Sequence, residues 1–222
     1  MLIKVCGLKD KYNVEEILSK QSPDLLGMIF YEKSQRFVGT KPLLLDRPIS
    51  KDIPKVGVFV NSGIEHIIDM QLLFGFEWVQ LHGDEDIAFI ASLKDKIDIK
   101  VIKVFRVSGN INLDEIKPFE PLADYFLFDT QTTHYGGSGK QFDWKVLEEY
   151  NLDTPFILSG GIDIQHTEEI LTLYRKNSKM AGVDINSKFE LEPGLKDPDK
   201  VARFINAIRE NTINQISYDR NR

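Results

Sequence analysis

The chain has 222 residues, 42% of them hydrophobic and 28% charged, enough for a full core and ordinary for one large globular domain or two small ones. Its 28 basic and 34 acidic side chains leave a formal charge of −6, which excludes a broad basic surface for nucleic acid but not a local basic pocket for a small anion. A lone cysteine excludes an intrachain disulfide framework and a cysteine-built zinc cluster, as suits a reducing cytosol. The start, MLIKVCG, sets a lysine inside a short apolar run without a cleavage-type site, and no stretch approaches about 18 apolar residues; a cytoplasmic protein that does not engage membranes is expected.

In chain order, short runs rich in β-branched and aromatic residues mark eight strands: LIKVCG (2–7), LLGMIFY (25–31), KVGVFVN (55–61), WVQLHG (78–83), IKVIKVF (99–105), YFLFDT (125–130), PFILSGG (155–161) and AGVDINS (181–187). Segments with helical spacing lie between and after them: VEEILSKQ, IEHIIDMQLLFG, DEDIAFIASLKDKI, HTEEILTLYRKN and DKVARFINAIREN. Asp84 precedes one such run, Gly75 follows another, and Pro198 stands where a first helical turn tolerates it. Prolines weaken the helix pattern in TKPLLLDRPIS and NLDEIKPFEPLA, and the tail at about 212–222 has no packing signal and is expected to fray. No Pro/Ser-rich linker interrupts the alternation. It predicts an α/β chain folded as a single-domain (β/α)8 TIM barrel over residues 1–222, with a doubly wound open sheet as the alternative.

The polar residues favour the barrel. Strand side chains alternate faces, so Lys4 and Cys6 share one face, as do Gln80 and His82, and Gly182, Asp184 and Asn186. The reactive members sit toward the C-terminal ends of their strands, which in a closed barrel converge on one mouth. Cys6 by default is a buried structural cysteine. A reactive role requires thiolate, hence a nearby cation, for which Lys4 and Lys103 are offered as adjacent inner residues. Asp129 ends an apolar strand, where it is either a loop partner or a partly desolvated general acid; with a thiolate base opposite, the pair points to isomerisation rather than hydrolysis. Ser159, Gly160 and Gly161 end the seventh strand and Asn186 and Ser187 the eighth, the two positions from which barrels of this type often bind phosphate through backbone N–H groups. Arg36 is a loop residue able to grip a carboxylate, and His82 is either a satisfied core histidine or a ligand-binding one. After Asp129 the stretch YGGSGK lacks the spacing of a nucleotide cradle and reads instead as a hinged lid. His66, His134 and His166 have no metal-ligand spacing, and no metal is expected.

KVCGL, YEKSQRF, VGVFVN, VQLHGDE, FDT followed by YGGSGKQFDW, ILSGG and GVDINSKFE occur in that order along nearly the whole chain, and together they closely resemble the phosphoribosylanthranilate isomerase family of tryptophan biosynthesis. The resemblance implies a cofactor-free Amadori rearrangement of N-(5-phosphoribosyl)anthranilate to 1-(2-carboxyphenylamino)-1-deoxyribulose 5-phosphate. On this likeness Cys6 matches the family's general base, Asp129 its general acid, and Arg36 the arginine that holds the anthranilate carboxylate. Gly160, Gly161, Asn186 and Ser187 match the phosphate loops, and Asp184 has a binding role or a structural one as partner for Lys4. Many members have Ser-Ser-Gly after the eighth-strand aspartate, where this chain has Ile185, Asn186, Ser187 and Lys188. The expected partner is a small phosphorylated sugar, not nucleic acid or membrane, and the expected assembly a monomer or homodimer. Two alternatives stand beside this reading. One is a sugar-phosphate lyase or synthase on the same fold, against which the KxCG start argues. The other is a silent binding barrel, which has no need of both Cys6 and Asp129.

Overall fold

Eight short parallel strands, each hydrogen-bonded to its neighbour in sequence, close into a ring in which the last pairs with the first. They are β1 (Leu2–Val5), β2 (Leu25–Ile29), β3 (Lys55–Phe59), β4 (Trp78–Leu81), β5 (Lys100–Val107), β6 (Tyr125–Thr130), β7 (Phe156–Leu158) and β8 (Met180–Ile185). The computed structural model describes residues 1–41, 53–130 and 142–219, with side chains placed through residue 212. Most of TKPLLLDRPIS and all of the YGGSGK lid stretch lie outside the described residues.

The strands read as near-continuous apolar runs because a parallel barrel buries both their faces. Inside, Leu25, Val56, Trp78, Ile102, Val104, Leu127 and Ile157 fill the ring, with Tyr125 stacked on Trp78 at a centroid distance of 5.2 Å. The outward residues of the same strands, such as Ile3, Val5, Phe126 and Phe128, pack against the surrounding helices. Period-two alternation corrects one expectation. Ile102 and Val104 point inward, so Lys103 points out, where its ammonium donates to the Gly83 carbonyl at 3.0 Å and pairs with Glu85 at 3.1 Å.

Helices α1 (Lys11–Lys20), α2 (Ile64–Phe74), α3 (Ile87–Lys96), α4 (Leu113–Ile116), α5 (Thr167–Lys176) and α6 (Pro198–Asp219) lie between and after the strands. Asp10 caps α1 by accepting the Asn13 N–H, and α2 stops at Gly75, whose φ of 63° and N–H bond to Gln71 O form a left-handed C-cap. The cap of α3 is Asp86, which accepts the Phe89 N–H, rather than Asp84; the Asp84 carboxylate is engaged by Arg106. The proline-crowded NLDEIKPFEPLA reduces to the four residues of α4 and a single 3-10 turn at Lys117–Phe119. α6 begins at Pro198 and its backbone stays helical to Asp219.

One element is absent from the sequence reading: an antiparallel hairpin of β9 (Glu190–Glu192) and β10 (Leu195–Lys196) between β8 and α6. Pro193 and Gly194 make its turn, with Gly194 at φ 88°. Asn13 of α1 clamps β10 from both sides, donating to the Lys196 carbonyl at 2.9 Å and accepting the Lys196 N–H at 2.8 Å. Among the described residues no helix is long and apolar enough to cross a membrane.

Candidate active site

The C-terminal strand ends surround a pocket that opens to solvent. Cys6, Arg36, His82, Asp129, Gly160, Gly161, Asp184, Asn186 and Ser187 all line it, between apolar walls that include Ile29, Val58 and Ile162. Pairing of β1 with β8 sets Lys4 opposite Asp184, and their side chains meet at 3.0 Å in the closed interior. Cys6 follows two residues later on the same face, its N–H donating to the Ile185 carbonyl at 2.9 Å. Gly27 of β2 makes room for this corner: a Cβ there would lie 3.0 Å from Cys6 Sγ and 3.1 Å from Lys4 Nζ.

Burial by itself would lower the Lys4 ammonium, but Asp184 and Cys6 outweigh it and hold it above its ordinary range, so it stays a cation. Burial pushes the Cys6 thiol up; Lys4 and, more weakly, Lys196 pull against that without overcoming it. The second cation acting on the thiol is thus Lys196, not Lys103.

Asp129 ends β6 across the mouth. Its Oδ1 accepts the Thr130 N–H at 2.8 Å, and its Oδ2 lies 3.4 Å from His82 Nε2. The other ring nitrogen of His82 is 2.9 Å from Gln80 Nε2. Gly160 and Gly161 have φ of 88° and 68°, and a Cβ on Gly160 would lie 2.7 Å from Thr130 N and 2.9 Å from Asp129 Oδ1. Only glycine lets the β7 turn lie this close to the end of β6. Ser187 opens a 3-10 turn, Ser187–Phe189, while the Lys188 side chain is exposed and does not line the pocket.

Arg36 is engaged in a way the sequence did not reveal. Its Nε–H donates to Glu190 Oε1 at 2.9 Å and its Nη2 to Oε2 at 2.7 Å, a two-pronged pair across 154 positions of sequence. Lys196, fully buried, donates to Glu190 Oε1 and to Asn186 Oδ1, each at 2.7 Å. Burial would raise the Glu190 carboxyl, but Arg36 and Lys196 prevail and hold it below the ordinary range. Sequence reasoning missed both Glu190 and Lys196. The available signal was the Pro-Gly turn between an acid and an amine just past the eighth strand. Among the described residues no group of three or more His, Cys, Asp or Glu is arranged to hold a metal ion.

A closed (β/α)8 barrel with a thiol, a carboxyl–imidazole pair and paired glycines at one mouth defines an enzyme of the TIM-barrel class that acts on a small ligand. The sequence model of the N-(5'-phosphoribosyl)anthranilate (PRA) isomerase family matches residues 3–207. An N-(5'-phosphoribosyl)anthranilate isomerase of Parabacteroides distasonis is 40% identical over 210 residues, covering 94% of this chain and 93% of that protein. Among solved structures, the phosphoribosyl anthranilate isomerase of Thermotoga maritima superimposes with a TM-score of 0.78 at 28% identity, over 95% of this chain and 99% of that one. A phosphoribosyl anthranilate isomerase in complex with reduced 1-(o-carboxyphenylamino)-1-deoxyribulose 5-phosphate gives a TM-score of 0.75 at 26% identity, over 95% and 100%. The chain belongs to the N-(5'-phosphoribosyl)anthranilate isomerase family. Its activity is that family's isomerisation, an intramolecular oxidoreduction in tryptophan biosynthesis, and the lyase or synthase alternative is set aside.

Proposed function

We propose that Cys6 and Asp129 are the base and acid of this isomerisation. The observation that carries the assignment is their placement: the thiol just past the end of β1 and the carboxyl on β6 face one pocket from opposite parts of the ring. Protonated Asp129 delivers its proton to the ribose ring oxygen, and the furanose opens to an iminium ion. That cation acidifies the hydrogen on C2, which the Cys6 thiolate removes to give an enolamine, and tautomerisation yields the aminoketose. Lys4 favours the thiolate from within hydrogen-bonding reach, and His82 orients the Asp129 carboxyl.

Arg36 holds the anthranilate carboxylate, the backbone amides around Gly160, Gly161, Asn186 and Ser187 hold the phosphate, and Asp184 orients the sugar from the Lys4 side. The substrate is therefore a phosphorylated sugar bearing an aromatic acid, converted without a cofactor. Cys6→Ala and Asp129→Asn should each lower turnover by roughly a hundredfold or more with the fold intact, the upper part of the range for acid or base catalysis. The assay is loss of the fluorescence of freshly made phosphoribosylanthranilate on adding purified protein. Near-normal turnover in either variant would remove that residue from the mechanism.

A further inference from the structure

The Arg36 guanidinium is a fork with two usable edges. Glu190 takes the Nε–Nη2 edge with bonds of 2.9 and 2.7 Å, while Nη1 has no partner among the described residues and the side chain lines the pocket. The Glu190 side chain is only 4% exposed, and besides Arg36 it is held by Lys196 at 2.7 Å and by the Gly194 N–H at 3.0 Å. A carboxylate so anchored does not follow a moving arginine; the arginine must settle onto it. The charges of Arg36, Glu190 and Lys196 sum to one positive, so the cluster still attracts an incoming carboxylate. Gly7 completes the geometry: at φ 77°, a Cβ there would lie 2.9 Å from Arg36 Cδ and 2.7 Å from Asn186 Oδ1, so the arginine stem is confined on that side as well.

We infer that Glu190, anchored by Lys196 on the β9–β10 hairpin, is a positioning residue that occupies one edge of Arg36 and thereby presents its Nη1–Nη2 edge to the carboxylate of the substrate. The inference rests on the reading of Arg36 as the carboxylate clamp. It makes the hairpin after β8 part of the specificity apparatus: the anthranilate end is recognised by an arginine that is rigid before substrate arrives, so little ordering entropy is lost on binding. It also accounts for an acid beside an arginine meant to bind an acid. Glu190 and the substrate bind different edges of one guanidinium.

The test uses the full chain carrying Glu190→Gln, Glu190→Ala, Arg36→Met and the Glu190→Gln/Arg36→Met pair, each checked for folding by circular dichroism. Two substrates are compared: phosphoribosylanthranilate and phosphoribosylaniline, which lacks the carboxylate. Glu190→Gln should raise KM for the first about tenfold, a loss typical of one misaligned charge-assisted bond, and leave kcat within about twofold. Glu190→Ala should raise it further. With phosphoribosylaniline, Glu190→Gln and wild type should have the same KM, and the double variant should be no worse than Arg36→Met on either substrate. An unchanged KM in Glu190→Gln while Arg36→Met is impaired overturns the inference alone. An equal rise for both substrates reduces Glu190 to a general structural role, and a fall in KM shows that it competes with the substrate for Arg36; each overturns it too. Normal KM in Arg36→Met removes the clamp and the inference together.

Discussion

Cys6 illustrates how one residue's chemistry is set by what surrounds it. The proposed base must be a thiolate, yet burial holds its proton on more tightly than in a free cysteine. The sign of the pH dependence follows. With the thiol raised, the thiolate fraction at neutral pH is small and grows about tenfold per pH unit until the thiol titrates, so the rate of Cys6 alkylation by iodoacetamide, which reads the thiolate alone, should climb above neutrality with a slope of about one. A flat alkylation rate between pH 7 and 9 would contradict a raised thiol. Removing the nearest cation sharpens the test. Lys4→Met deletes the largest influence opposing burial, so the rising limb should move to higher pH. It also strands Asp184 in the interior, a loss of about 3–5 kcal/mol for breaking a buried pair, measured by denaturant unfolding. At this scale the sequence was informative in part: two-residue spacing placed Cys6 beside Lys4 and His82 beside Gln80. The Glu190 edge of Arg36 was invisible, because nothing local links positions 36 and 190.

At the scale of elements, legibility tracked the length of the hydrophobic pattern. All eight strands stood out because each is an apolar run between polar turns, and α2 and α6 ended or began where Gly75 and Pro198 said they should. The β9–β10 hairpin did not, since strands of three and two residues carry no period to recognise. Lys103 was misplaced for a related reason: facing can be read only relative to a neighbour already known to point inward. The start of α3 is a direct check on cap assignment. Asp86→Ala should cost about 1 kcal/mol through loss of the bond to the Phe89 N–H, whereas Asp84→Ala removes only surface contacts and should cost about half that or less. Equal losses in thermal unfolding would return the cap to Asp84.

For the molecule as a whole, closure of the ring does two things at once. It buries an interior layer, in which Leu127 is fully enclosed, so Leu127→Ala should cost about 2–5 kcal/mol and lower the melting temperature without altering substrate KM. A loss below about 1 kcal/mol would mean that the interior is not the packed layer described. Closure also sets β8 beside β1, so that Lys4 and Asp184, 180 residues apart, become partners, and Asn13 meets Lys196 across 183. By itself the sequence determined the strand–helix alternation, which residues of a strand share a face and the motifs of the family, since all of these are encoded by residues a few positions apart. Only the tertiary structure decided which charges meet: Lys196 rather than Lys103 near the thiol, Glu190 on Arg36, His82 on Asp129. Those pairings depend on strand register around a closed ring and on a short hairpin whose Glu190 and Lys196 reach Arg36 and Asn186, and neither leaves a periodic trace in the sequence.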